Sequence, residues 1–232
     1  MLLEQYVQQD GEYFSFTRQQ ASGFAKQVAS DFNPIHDEDA KRFCVPGDLL
    51  FSYLLTRYGV SQHLSCQFAG MVGADIALHC AEEPEGITIL DDQNKKYLSL
   101  QRSGPSQNDL NVIEPLIKDY VRFSGQNFPH ILQPLMQRHN VMINAQRPLV
   151  IYESMALEFE LLPSQKVDLS LTASSLSVEG KRGNALLQFS LKEDGKLIGV
   201  GEKRMILSNL VPYDDMQMTQ MVLEYNHRKA MA

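Results

Sequence analysis

Apolar and polar positions along the chain switch between two periods, and each switch marks an element. Residues 10–16 read as a short strand lead. Thr17 and Gln20 then have the spacing of a capping box, and Phe24, Ala25 and Val28 supply an apolar face, which predicts a helix over about 18–30. That helix should stop at Asn33-Pro34, because proline disfavours helical geometry in the residue before it and brings no backbone donor. A second helix is predicted from Pro46-Gly47 to Gly59, with proline and glycine at the ends where helices favour them. Its apolar residues Leu49, Leu50, Phe51, Tyr53, Leu54 and Leu55 cover most of its circumference, as expected of a helix enclosed by other structure.

Beyond it, 87–90 and 97–100 flank a polar turn and predict a hairpin, and 103–108, Ser-Gly-Pro-Ser-Gln-Asn, reads as a linker. Helical spacing returns at Leu116, Ile117, Tyr120 and Val121, and a short helix follows over 131–139. Strand patterns then dominate at 155–160, 167–172, 185–191 and 197–201, and Glu193-Asp194-Gly195-Lys196 is a hairpin turn. Helices followed by strands describe an antiparallel α+β arrangement. The order occurs twice, so the chain is expected to divide into 1–107 and 108–232, two copies of one architecture.

Composition narrows the function classes. The 232 residues carry 44% hydrophobic residues, enough for a packed core, and a formal charge of -7. That charge repels nucleic acid and anionic lipid at long range, so neither is an expected partner. No apolar run reaches the ~18 residues of a membrane span, and the first residues lack a basic segment followed by an apolar one, so no membrane insertion is expected. Cys44, Cys66 and Cys80 are odd in number and form no C-x-x-C pair, which fits a reducing cytoplasm and gives no metal site. His63, His79, His139 and His227 show no ligand spacing either.

The candidate chemistry lies in Ser30-Asp31-Phe32-Asn33-Pro34-Ile35-His36, followed by Pro46-Gly47-Asp48-Leu49 at the head of the enclosed helix. These residues resemble the MaoC-like, (R)-specific enoyl-CoA hydratase family, whose signature is written S-G-D-x-N-P-[IL]-H. The resemblance spans about residues 12–60. It implies a hotdog fold, an antiparallel sheet wrapped around one long helix, here as a double hotdog in one chain. It also implies hydration of an enoyl thioester or dehydration of a 3-hydroxyacyl thioester. Asp31 and His36 inherit the water-activating roles, Gly47 the contact to the thioester oxygen, and Ser30, Asn33 and Pro34 form the supporting turn. Proton transfer at C3 and C2 needs one base and one acid, which a carboxylate and an imidazole can divide. The helix N-terminus offers N–H groups where negative charge develops on the carbonyl.

No cofactor is implied beyond a substrate carried on coenzyme A or an acyl carrier protein. The pairs Lys41-Arg42 and Lys95-Lys96 are candidates to meet the carrier's phosphates. Single-hotdog relatives act as two subunits, and a homodimer of this chain stays open. The sequence departs from the family at Ser30, where relatives carry glycine, at Pro46, where they carry histidine, and in a shorter stretch from His36 to Gly47. Phe123-Ser124-Gly125-Gln126-Asn127-Phe128-Pro129-His130 echoes the motif with glutamine in the acidic position, as a decayed copy or a chance likeness across a turn. Two other readings accompany the hydratase: a hotdog acyl-CoA thioesterase, and a non-catalytic acyl-thioester-binding protein. The string also arises without chemistry, with Asp31 ending a helix and His36 packed on the surface.

Overall fold

A computed structural model describes residues 2–84 and 86–231; Met1, Glu85 and Ala232, which the expected division into halves includes, lie outside the described residues. The chain opens with β1 (Gln8–Asp10), β2 (Tyr13–Ser15), α1 (Arg18–Gly23), α2 (Gly47–Tyr58), β3 (Val60–Phe68), β4 (Leu78–Glu83), β5 (Gly86–Asp91) and β6 (Lys96–Gln107). It continues with α3 (Leu110–Gly125), α4 (Asn127–His130), α5 (Leu132–Arg138), β7 (Val141–Met142), β8 (Val150–Phe159), β9 (Asp168–Glu179), β10 (Arg182–Glu193), β11 (Lys196–Ser208), β12 (Val211–Pro212) and α6 (Asp215–Met231).

Ten strands form one antiparallel sheet in the order β1-β2-β4-β5-β6-β3-β8-β11-β10-β9. The order repeats about its middle. On one side β3 is followed outward by β6, β5 and β4; on the other, β8 is followed by β11, β10 and β9. Strands β3 and β8 therefore meet at the midline, where His63 to Gln67 of β3 pair with Glu158 to Ser154 of β8. Helix α2 is buried from Asp48 through Leu55 and packs against the first half of the sheet and α3. A second, smaller core gathers Leu132, Leu135 and Met136 of α5 with Leu187 and Leu207 of the second half of the sheet. Two sets of strands in the same order, each with its own helical filling, make a double hotdog.

Several elements follow local rules. Thr17 and Gln20 form the expected capping box, with Gln20 N–H donating to Thr17 Oγ1 (3.1 Å) and Thr17 N–H to Gln20 Oε1 (3.0 Å). Asp194 and Gly195 both have positive φ, 49° and 77°, the twist that a two-residue hairpin requires. The expected single strand over 10–16 is instead the hairpin β1–β2. The expected linker over 103–108 is also corrected, because β6 runs through Gln107 and pairs with β3. Gly104, at φ 79°, lies where the β3–β6 register shifts, so the Gly-Pro pair marks a bulge inside a strand. Among the described residues no helix is long and apolar enough to cross a membrane.

Candidate active site

The site begins where the first long helix ends. Helix α1 widens into a π-type turn over Phe24–Val28, and Ala29 N–H donates to Phe24 O (3.1 Å). Ser30 then takes the left-handed conformation, φ 52°, and Asp31 N–H closes the turn on Ala25 O (2.8 Å). This geometry favours glycine, the residue the resembling family carries there.

Each polar side chain of the motif then shapes the next step. Asp31 Oδ1 accepts from Asn33 N–H (2.9 Å), and Asn33 Oδ1 accepts from Ile35 N–H (3.2 Å). Pro34 stands at the first position of the 3-10 turn Pro34–His36, where a missing N–H is harmless. His36 N–H returns to Asn33 O (3.0 Å). The spacing D-x-N-P-x-H is thus two consecutive side-chain-capped turns, and they carry His36 back over Asp31. His36 Nε2 lies 3.6 Å from Asp31 Oδ2, too far for a direct hydrogen bond. The other ring nitrogen, Nδ1, lies 2.7 Å from Cys44 O. A carbonyl only accepts, so Nδ1 carries the hydrogen and Nε2 is the atom free to gain or lose a proton. His36 is buried, 9% exposed, and is not a surface packing residue.

The contact to Cys44 also brings in Gly47. Cys44 N–H donates to Ile35 O (3.1 Å), which closes 37–43 into a loop and sets the motif three residues before the head of α2. Arg18 holds that loop through the carbonyls of Glu38 (2.7 Å) and Ala40 (3.0 Å). Leu49 and Leu50 N–H bond to Pro46 O, whereas the N–H groups of Gly47 and Asp48 have no hydrogen-bond partner among the described residues. A side chain at Gly47 would meet two aromatic rings, with its Cβ 2.8 Å from Phe68 Cε1 and 3.2 Å from Tyr152 Cδ1. Glycine is therefore required by the packing of those rings, a reason independent of any thioester.

Helix α6 lies across the motif. Tyr225 OH donates to Ser30 O (3.3 Å), its ring meets Phe32 edge-on at 5.9 Å, and Arg228 pairs with Asp37. Burial, reinforced by the Asp31 carboxylate, pushes the Tyr225 phenol up to about 12.

Behind the motif lies a group of residues that sequence spacing does not announce. Asp48, Ser124 and Lys203 are all buried and come from α2, α3 and β11. Ser124 Oγ donates to Asp48 Oδ2 (2.5 Å) and accepts from Lys203 Nζ. Lys203 Nζ also stands 4.1 Å above the Tyr152 ring, and Tyr152 OH meets Tyr120 OH. Burial pushes the Asp48 carboxyl up and the Lys203 ammonium down, and each charge partly offsets the shift of the other. Asp48 Oδ1 is buried with no partner among the described residues. One signal was available: Gly201, Lys203, Met205 and Leu207 alternate as the inward face of β11, so a lysine there is out of place.

The remaining candidates are scattered. Gln126 and His130 of the second-half echo are exposed and make no pair, but Gly125 packs tightly on the first motif. A Cβ on Gly125 would fall 2.1 Å from Ala29 O and 3.2 Å from Asp31 Cβ. His63 faces Glu158 across the β3–β8 midline at 3.8 Å, an exposed cross-strand pair that linear spacing does not reveal. Lys41 and Arg42 are exposed on the loop beside the site, and Lys95 lies over Tyr97 at the β5–β6 turn. Cys44, Cys66 and Cys80 are free thiols, and burial pushes the Cys44 thiol up to about 11. Among the described residues no group of three or more His, Cys, Asp or Glu could hold a metal ion.

A family profile described as "Protein of unknown function (DUF3581)" matches residues 1–216. No curated protein matches. Solved structures with a similar course include the tesB protein of Mycobacterium avium subspecies paratuberculosis, at 9% identity and TM-score 0.46 over 89% of this chain and 97% of that one. An acyl-CoA thioesterase II of Mycobacterium marinum has 9% identity and TM-score 0.42 over 92% and 100%. A MaoC-like dehydratase has 10% identity and TM-score 0.45 over 88% and 99%.

Proposed function

The chain belongs to the DUF3581 family of proteins of unknown function, and we propose that it adds water to an enoyl thioester, or removes it from a 3-hydroxyacyl thioester, at Asp31 and His36. The observation that carries this reading is the 3.6 Å separation of Asp31 Oδ2 and His36 Nε2, with Nδ1 committed to Cys44 O. One water oxygen at about 2.8 Å from each atom fits that separation, so both groups can act on the same water.

In the hydration direction the water oxygen forms a bond to C3 and loses one proton to the pair. The C2=C3 π electrons move toward the thioester oxygen, and the resulting enolate takes a proton at C2 from the pair, which returns to its starting state. The unbonded N–H groups of Gly47 and Asp48, at the positive end of α2, are the candidates to face that oxygen. Lys41 and Arg42, exposed on the neighbouring loop, are the candidates to meet carrier phosphates.

The test uses a panel of trans-2-enoyl-CoA chain lengths, following loss of enoyl absorbance and release of free thiol together. Hydration removes the absorbance and leaves the thiol bound. The variants are chosen so that the turns persist: Asp31→Asn keeps an acceptor for Asn33 N–H, and His36→Asn keeps a donor for Cys44 O. Each is expected to lower turnover by about 10²–10⁴-fold. Thiol release by the wild type would move the assignment to a thioesterase, in which the same pair aims water at the carbonyl carbon. Binding of acyl-CoA without either reaction would leave a non-catalytic thioester-binding protein.

A further inference from the structure

We propose that Lys203 is a positioning residue for the Asp31–His36 pair, a buried cation supplied from β11 and held in place by Ser124 and Asp48. The inference rests on the hydratase reading and extends it to the second half of the chain.

Three observations converge on it. The first is where the cluster sits. Ser124 is followed by Gly125, whose backbone is packed onto Ala29 and Asp31, and the Tyr152 ring beneath Lys203 Nζ presses on Gly47. The cluster therefore abuts the candidate site on both of its sides, through the Gly125 backbone and the Tyr152 ring.

The second is charge. Asp31 and Asp48 bring two carboxylates into one region, and His36 there has one nitrogen occupied by Cys44 O. Lys203, 4% exposed, is the buried cation there, and both carboxylates act on it. Lys203 Nζ also reaches Ser124 O (3.4 Å), the carbonyl that leads into Gly125, so it holds the stretch of backbone that is packed on Asp31.

The third is that the cluster is incomplete as a structural device. A buried ion pair is seldom more stabilising than apolar residues of the same volume, so stability alone gives little reason to keep this one. A structural pair would also satisfy both carboxylate oxygens, and among the described residues Asp48 Oδ1 has no partner.

The decisive experiment compares Lys203→Met with Lys203→Met/Asp48→Asn in the full chain. Lys203→Met alone leaves Asp48 uncompensated and is expected to lower the melting temperature by roughly 10 °C. The double variant removes both charges, so its melting temperature should return to near the wild-type value. A purely structural cluster would then recover turnover as well. If Lys203 positions the site, kcat in the double variant stays down by about tenfold or more while KM changes less than about threefold.

Ser124→Ala provides a second route that leaves both charges present. It frees Lys203 Nζ from its hydroxyl partner and should lower kcat several-fold with KM again little changed. The proposal is overturned if the double variant, or Ser124→Ala, turns over at the wild-type rate. Failure of the wild type to act on any enoyl-CoA is a different result, visible before any variant is made, and it overturns the hydratase reading itself.

Discussion

Replacing Gly47 by alanine tests the head of α2 directly. The added Cβ would stand 2.8 Å from Phe68 Cε1, 3.2 Å from Phe68 Cδ1 and 3.2 Å from Tyr152 Cδ1. Carbon atoms in ordinary contact lie about 3.5–4.0 Å apart, so at least one ring must move by several tenths of an ångström. Neither ring is free to do so. Phe68 and Tyr152 pack on each other with centroids 4.2 Å apart and planes tilted by 31°, and the Tyr152 hydroxyl is bonded to Tyr120. Overpacking of this kind costs about 1–3 kcal/mol. Alanine's better helix propensity offsets less than about 1 kcal/mol at the first helical position. The net expectation is a loss of about 1–2 kcal/mol, or a fall in melting temperature of about 2–8 °C for a chain of this size.

Urea and thermal unfolding of Gly47→Ala, Phe68→Leu and the double variant would measure it. Phe68→Leu removes the ring atoms that alanine meets, so the double variant should be more stable than the sum of the two single losses by at least about 1 kcal/mol. Gly47→Ala keeps the backbone N–H, and turnover should recover along with stability in the double variant. A Gly47→Ala protein as stable as the wild type, or losses that simply add, would refute the steric account.

Other outcomes can be checked more simply. Ser30→Gly should stabilise the chain by about 0.5–1 kcal/mol in thermal melts, because glycine adopts φ 52° without the strain of a side chain. Cys44 should resist alkylation at pH 8, since burial raises its pKa to about 11 and the thiolate appears only as pH approaches that value; mass spectrometry after iodoacetamide would show this. Hydrogen exchange should be much faster in α6 than in α2, because Met218 and Tyr225 alone are buried in α6 whereas α2 is buried from Asp48 through Leu55. Arg228→Ala should accelerate exchange in α6 further and change global stability by less than about 1 kcal/mol, because its ion pair with Asp37 is partly exposed.

What the sequence discloses is mostly what is settled locally. The capping box at Thr17, the Pro-Gly entry and glycine exit of α2, and the Asp194-Gly195 turn are each decided within a few residues, and each stands where its spacing predicts. The motif belongs to the same class: Asp31, Asn33 and Pro34 build the turns that return His36, so a linear string encodes a three-dimensional approach. Gly104-Pro105 deceived because a bulge inside a strand uses the same residues as a linker. Helix α6 gave no warning, since two buried side chains make no apolar stripe. The Asp48–Ser124–Lys203 cluster joins residues 76 and 79 positions apart, and no local rule connects them.

That separation along the chain binds the inheritance of the two halves together. Asp48 is encoded before residue 108, and Ser124 and Lys203 after it. A substitution at any one of them is felt on the other side of the midline, so the two copies cannot drift independently. A chain cut anywhere between Asp48 and Ser124 would leave a lone buried carboxylate in one fragment and a lone buried ammonium in the other. Reassembly from separate pieces would then depend on bringing these charges back together.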